Sequence, residues 1–210
     1  MKNLLIILVA LISLNLAAQD SKAYVMLSAG AVFPNGGEYI INSDQGVFMD
    51  QYTGLDLNLN LGYRITDMLG LTATWGASSN EFDSVTFNNP DVVPEEGAFF
   101  SVGYLGIGPM FTYPIGIADA VVEFRPQLVL SMSGLTDFEG GDNDITAKGS
   151  GYLASTSWVF GSGPGLKFSI NIDYLRGKFK ENELGGITTD LSSGNTYVRI
   201  SMGAGLRYNF

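Results

Sequence analysis

The chain has 210 residues and a formal net charge of -10, with 27 glycines, 13 phenylalanines, 10 tyrosines and only 15% charged residues. It contains no histidine and no cysteine, which removes Ser-His and His-metal constellations, disulfides and a lipid-modified N-terminal cysteine. The acidity argues against nucleic acid, whose phosphates need a basic surface, while many glycines and aromatics with few charges fit a set of strands joined by turns.

Residues 1–18 (MKNLLIILVALISLNLAA) carry one lysine, an unbroken apolar run from Leu4 to Ile12 and small residues at Ala17 and Ala18. This reads as a secretory signal peptide, the apolar run being shorter than the ~20 residues that span a membrane as a helix. The expected division is therefore a signal peptide over 1–18 and one barrel domain over 19–210. No other segment is as hydrophobic, so a membrane location requires a closed barrel, in which every backbone group finds a partner within the protein.

Period-two alternation predicts eight strands, near residues 23–33, 54–65, 69–78, 98–113, 120–132, 151–160, 166–178 and 195–210. The second is the cleanest: Leu55, Leu57, Leu59, Leu61, Tyr63 and Ile65 alternate with Asp56, Asn58, Asn60, Gly62 and Arg64. The fourth permits two parities around Gly103 to Gly108. In the fifth, Phe124, Pro126, Leu128, Leu130 and Met132 are expected to oppose Glu123, Arg125, Gln127 and Ser131. Pro109 and Pro126 each remove a ladder donor. In the last strand Thr196, Val198, Ile200, Met202, Ala204, Leu206, Tyr208 and Phe210 share one face.

Short connections (65–68, 114–119, 161–165) alternate strictly with long ones (34–53, 79–97, 133–150, 179–194). An all-β, eight-stranded antiparallel up-and-down transmembrane barrel has this parity, with both termini on the periplasmic side and the long loops outside. Tyr63, Phe111, Tyr113, Phe124, Phe160, Phe168, Tyr208 and Phe210 are expected in an inner aromatic girdle, and Trp75, Tyr104 and Tyr174 in an outer one. A soluble lipocalin-type barrel is the rival, but its outer face would carry many Lys, Glu and Asp, whereas the polar faces here are mostly Ser, Thr, Asn and Gly.

On strand count, loop parity and the final GAGLRYNF, with Met202, Ala204, Leu206, Tyr208 and Phe210 as an assembly signal, residues 20–210 resemble the small outer-membrane β-barrel family related to the OmpA transmembrane domain and OmpX. The resemblance implies a Gram-negative-type outer membrane and insertion by the barrel-assembly machinery through the last strand. No segment resembles the peptidoglycan-binding domain that follows the barrel in OmpA.

Eight charges fall on lumen-facing positions: Asp56, Arg64, Glu123, Arg125, Lys167, Asp173, Arg199 and Arg207. They are expected to pair, because an unpaired buried charge is costly and eight strands leave room only for side chains, giving a plugged polar lumen with a net basic lower mouth. Fifteen acids occupy the long connections: Glu38, Asp44, Asp50, Glu81, Asp83, Asp91, Glu95, Glu96, Asp137, Glu139, Asp142, Asp144, Glu181, Glu183 and Asp190. Asp137, Glu139, Asp142 and Asp144 offer oxygen ligands for Ca²⁺, but they lack the spacing of an EF-hand, and a solvated acidic surface is the preferred reading. Arg176, Lys178 and Lys180 share the outward parity of the seventh strand and must lie above the hydrocarbon, where they meet lipopolysaccharide phosphates or, as a strand end emerging from the membrane, only water. No cofactor and no catalysis are expected. The function expected is structural or a loop-mediated interaction, in envelope integrity, adhesion or partner binding. The alternatives are a narrow ion channel and an accessory subunit of an outer-membrane secretion machine.

Overall fold

The computed structural model describes residues 22–34, 47–51, 53–87, 99–116, 119–137, 145–161, 163–184 and 187–210. Within them the chain forms nine strands: β1 (Ala23–Pro34), β2 (Val47–Gln51), β3 (Gly54–Arg64), β4 (Leu69–Phe87), β5 (Phe99–Pro114), β6 (Val121–Asp137), β7 (Ile145–Phe160), β8 (Gly165–Leu184) and β9 (Ile187–Asn209). Eight of them pair antiparallel in the order β4-β3-β1-β9-β8-β7-β6-β5, and β5 returns to β4, so the ring is closed. Closure satisfies the edge groups that an open sheet would leave bare. The ninth strand, β2, lies outside the ring and pairs with the end of β4, Val47 opposite Phe87.

The last strand meets the first along Tyr24↔Asn209 to Pro34↔Arg199, and Phe210 N–H donates to the Ala23 carbonyl at 3.0 Å. At this end of the barrel the turns are tight. Between β3 and β4 the Thr66 hydroxyl accepts the Leu69 N–H at 3.0 Å. Between β7 and β8 the chain reverses through Gly161 and Gly163 with φ of 101° and 75°, a left-handed backbone that a Cβ would strain.

The opposite end departs from the expected long loops. β4 runs to Phe87, β6 to Asp137, β8 to Leu184, and β9 starts at Ile187, so much of 79–97 and 133–150 and nearly all of 179–194 is strand. Six barrel strands have 16 to 23 residues, against the ~9–11 that cross a hydrocarbon layer when tilted. Hydrogen bonding explains the difference: each polar segment can continue the ladder of its neighbour, and alternation of apolar residues is not needed where both faces meet water.

Two irregularities aim side chains. The β5–β6 register shifts at Leu105/Gly106 and the β6–β7 register between Val129 and Met132. This bulge reverses the parity of β6: Glu123, Arg125, Gln127 and Val129 point inward below it, Met132 and Gly134 above it. The expectation that Met132 faces out and Ser131 in is therefore corrected, because one extra residue flips every later side chain. The second irregularity is a gap in the β5–β6 ladder between Ile107↔Leu128 and Phe111↔Phe124. Pro109 and Pro126 stand opposite each other there, and neither has an N–H to give.

Every barrel strand turns large apolar side chains outward. Leu27, Leu57, Leu71, Ile107, Leu128, Tyr152, Leu166 and Leu206, one from each, are among them, with Leu55 74% and Leu166 70% exposed. A soluble monomer rarely exposes a continuous apolar belt, whereas hydrocarbon requires one. The soluble lipocalin-type arrangement, apolar face inward and polar face out, is inverted here.

Candidate functional site

The interior is built in layers, numbered by height from the tight-turn end. At that mouth, Arg64 at the end of β3 and Arg207 near the end of β9 converge on Glu123 of β6. Their Nη atoms lie 3.2 and 2.7 Å from Glu123 Oε1. Arg207 also stacks over the Tyr24 ring, 3.5 Å from its centroid, and Lys167 Nζ donates to the Gly161 carbonyl at 2.8 Å. Two guanidinium groups, one from β3 and one from β9, thus close on one carboxylate, which is what a buried acid needs.

Above this, Arg125 donates to Ser157 Oγ and, at 3.4 Å, to the Tyr24 hydroxyl. Ser157 donates to Asn171 Oδ1 at 2.6 Å, and Asn171 to Ser169 Oγ at 3.2 Å. Across the bore, Gln127 donates to Thr74 Oγ1 at 2.9 Å and Thr74 to Asn60 Oδ1 at 2.7 Å.

The third layer centres on Asp56. Its Oδ1 accepts from Arg199 Nη1 at 2.7 Å, and its Oδ2 from Ser201 Oγ at 2.8 Å and Asn58 Nδ2 at 2.7 Å. Asn58 also reaches Asp173 Oδ2 at 3.2 Å, and the Tyr104 hydroxyl donates to Asn58 Oδ1 while accepting from Arg199 Nη2. Both members of the Arg199–Asp56 pair are buried. All eight predicted lumen charges are thus inside the ring, five bases against three acids, and residues of all eight barrel strands take part in the network.

The fourth layer is apolar. Phe100, Val102, Val129, Met132, Leu153, Leu175, Phe179 and Tyr197 pack together with Tyr104 at their base. Phe100 meets Phe179 and Tyr197 edge-on at centroid distances of 6.2 and 5.8 Å. This corrects the expectation of a lumen polar throughout: the half away from the tight turns is a hydrophobic plug. It also corrects the girdle, since Tyr104 faces inward and the outward aromatics at that height are Trp75, Tyr174 and Tyr152. The cause is the parity of β5, which turns Phe100, Val102, Tyr104 and Gly106 in. Glycines make room for the rings. A Cβ on Gly76 would collide with Tyr104 Cζ, and one on Gly62 with Tyr24 Cε1.

Two solved structures share this architecture. The outer membrane protein OprG from Pseudomonas aeruginosa superimposes with a TM-score of 0.57 at 11% identity, over 91% of this chain and 98% of that one. Neisserial surface protein A gives 0.53 at 16% identity, over 90% and 97%. The chain has the fold of the small outer-membrane β-barrels. At these identities the likeness is one of fold. No protein-family profile and no curated protein sequence matches the barrel.

The predicted assembly signal and the basic residues of β8 fall outside the lumen. Met202, Ala204, Leu206 and Tyr208 are exposed on the outer face of β9, with Phe210 half-buried beside Tyr208. Arg176, Lys178 and Lys180 are exposed on the outer face of β8. Of the weak metal candidates, Asp137 ends β6, while Glu139, Asp142 and Asp144 lie outside the described residues. Among the described residues no cluster of acids is arranged to hold a metal ion. The acids Asp50, Glu81, Asp83, Glu181, Glu183 and Asp190 sit on strands, and Glu38, Asp44, Asp91, Glu95 and Glu96 lie outside the described residues. Sequence reasoning missed the plug. Its signal was present in part, since Phe179 shares the parity of Lys167 and Asp173, and Tyr197 that of Arg199.

Proposed function

We propose that this barrel is an integral protein of a Gram-negative-type outer membrane, a non-conducting, non-enzymatic scaffold that carries its long strand ends outside the cell. The tight turns and both termini then face the periplasm, and insertion proceeds through the barrel-assembly machinery with β9 as the recognised strand. The role is structural or interactive, in envelope integrity, adhesion or binding a partner at the projecting rim. One observation carries the reading: two unlike seals are stacked in one narrow bore, an ion-paired polar layer centred on Asp56 and Arg199 and an aromatic plug around Phe100, Phe179 and Tyr197. An ion must displace both to pass. The projecting strand ends, on a scaffold rigid through its core, are where interaction surfaces sit.

A narrow anion-preferring channel is the second reading, favoured by the surplus of bases at the tight-turn mouth, where Arg64, Lys167 and Arg207 surround Glu123. Planar-bilayer recording separates the two. The refolded barrel is expected to be silent, and an Arg125→Ala, Arg207→Ala variant likewise, because the plug above is untouched. A steady conductance whose ion preference changes in the variant would replace the scaffold with the channel.

A further inference from the structure

The distribution of cations over the outside of the barrel is one-sided. Of the eleven Lys and Arg residues, Lys2 precedes the barrel, Lys22 stands at the tight-turn end and five line the lumen. The other four, Lys148, Arg176, Lys178 and Lys180, all lie on the projecting halves of two adjacent strands, β7 and β8, and all are exposed. The segments 35–46, 88–98 and 138–144 contain no basic residue at all. Among the described residues the exposed bases of the projecting strand halves therefore form a single sector.

The height of that sector is set by aromatics. Tyr152 and Tyr174, on the outer face of β7 and β8, have ring centroids 6.4 Å apart. Such rings settle where hydrocarbon gives way to headgroups. Arg176 is opposite Tyr152 and donates to its hydroxyl at 3.3 Å. Lys178 and Lys180 follow on the same face, about 13 and 20 Å beyond Tyr174 along a strand rising ~3.3 Å per residue. Lys180 occupies the bulge between Phe179 and Glu181 and has no partner opposite it on β7 or β9. A bulge of this kind re-aims the side chain it carries. Among the described residues Lys148 alone of the four is ion-paired, to Glu183 at 3.3 Å.

We propose that Arg176, Lys178 and Lys180 form a binding surface for the phosphate groups of a phosphorylated lipid in the leaflet around the projecting end. The inference rests on the outer-membrane reading above. Arg176 leaves the barrel wall sideways at the height of the tyrosine rings, and Lys178 and Lys180 extend the basic face outward from it along β8, through the depth of a lipid headgroup layer. Guanidinium pairs with a phosphate through two parallel hydrogen bonds, and the flanking ammonium groups add compact charge.

The test uses the barrel refolded into phosphatidylcholine vesicles containing either bisphosphorylated lipid A or the same lipid with its phosphates removed. Native mass spectrometry reads the lipid retained. Retention of the phosphorylated lipid at least ten-fold above the dephosphorylated one is expected. The Arg176→Gln, Lys178→Gln, Lys180→Gln variant should fall to the dephosphorylated level, and Lys22→Gln should not change it. Should the triple variant fail to fold, Lys180→Gln alone, at an exposed bulge, should still lower retention several-fold. Equal retention of both lipids, or undiminished retention in a folded variant, overturns the proposal while leaving the membrane reading intact. A wild-type chain that neither inserts into vesicles nor reaches the outer-membrane fraction overturns both.

Discussion

Arg199 and Asp56 form an ion pair in which both side chains are buried. Asp56 accepts three hydrogen bonds, and Arg199 reaches Tyr104 as well as the carboxylate. Removing one partner of a buried pair leaves the other charge desolvated and alone, at a cost of about 3–5 kcal/mol, whereas replacing both is far milder. Arg199→Met should therefore lower the urea midpoint of the vesicle-embedded barrel strongly. Asp56→Asn combined with Arg199→Met should recover most of the loss, a pattern read from tryptophan fluorescence. Equal midpoints for the single and double variants would show that the pair is not coupled. Gly76 poses a steric test on the same scale. A methyl there meets the Tyr104 ring, so Gly76→Ala should destabilise by roughly 1–3 kcal/mol through overpacking. Tyr104→Leu in the same chain should relieve part of it, and an additive result would contradict the contact.

The element that decides most is β6. Below its bulge the strand puts Arg125 and Gln127 into the polar layers, and above it puts Met132 into the plug. Deleting Ser131 takes out the extra residue and restores unbroken alternation with Met132 and Gly134 still facing inward. Such a chain is expected to keep the heat-resistant compact form on gel electrophoresis. Loss of that form would mean that the bulge itself, and not only the parity it produces, is required for folding. The same strand offers a probe of the lipid face. Leu128 is 67% exposed, and an arginine on the lipid face near the bilayer midplane costs about 2–4 kcal/mol. Leu128→Arg should lower folding stability in vesicles by that order, while Leu128→Ile should not. A neutral arginine would place the bilayer elsewhere along the barrel.

At the scale of the whole molecule, closure depends on the β1–β9 seam. Tyr208 pairs with Val25, Asn209 with Tyr24, and Phe210 donates to Ala23. Truncation of residues 208–210 removes this end of the seam and bares the edge of β1. The shortened chain is expected to be absent from outer-membrane fractions as a folded, heat-modifiable species, and its recovery there would falsify the role given to the seam. Closure also explains why the lumen network can be shared so widely. Each strand brings a few polar groups, and only the ring sets the Asp56 carboxylate of β3 beside the Arg199 and Ser201 donors of β9.

Strand number, antiparallel parity, the outward apolar face and the inward placement of Asp56, Arg64, Glu123, Arg125, Lys167, Asp173, Arg199 and Arg207 were legible in the chain itself. Alternation is a local property, and a two-residue period read over ten residues states which side chains share a face. Pairing across the bore was not legible, because it depends on the stagger of strands far apart in sequence: Asn58 meets Asp173 across 115 positions. The parity of β5 was open because glycines at 103, 106 and 108 carry no side chain to mark a face. The aromatic plug followed from that parity together with the β6 bulge, a single extra residue that leaves no trace in composition. The long strand ends escaped notice for a related reason. Where both faces meet water, alternation has no cause, and only the hydrogen bonds of a neighbouring strand reveal that the ladder continues.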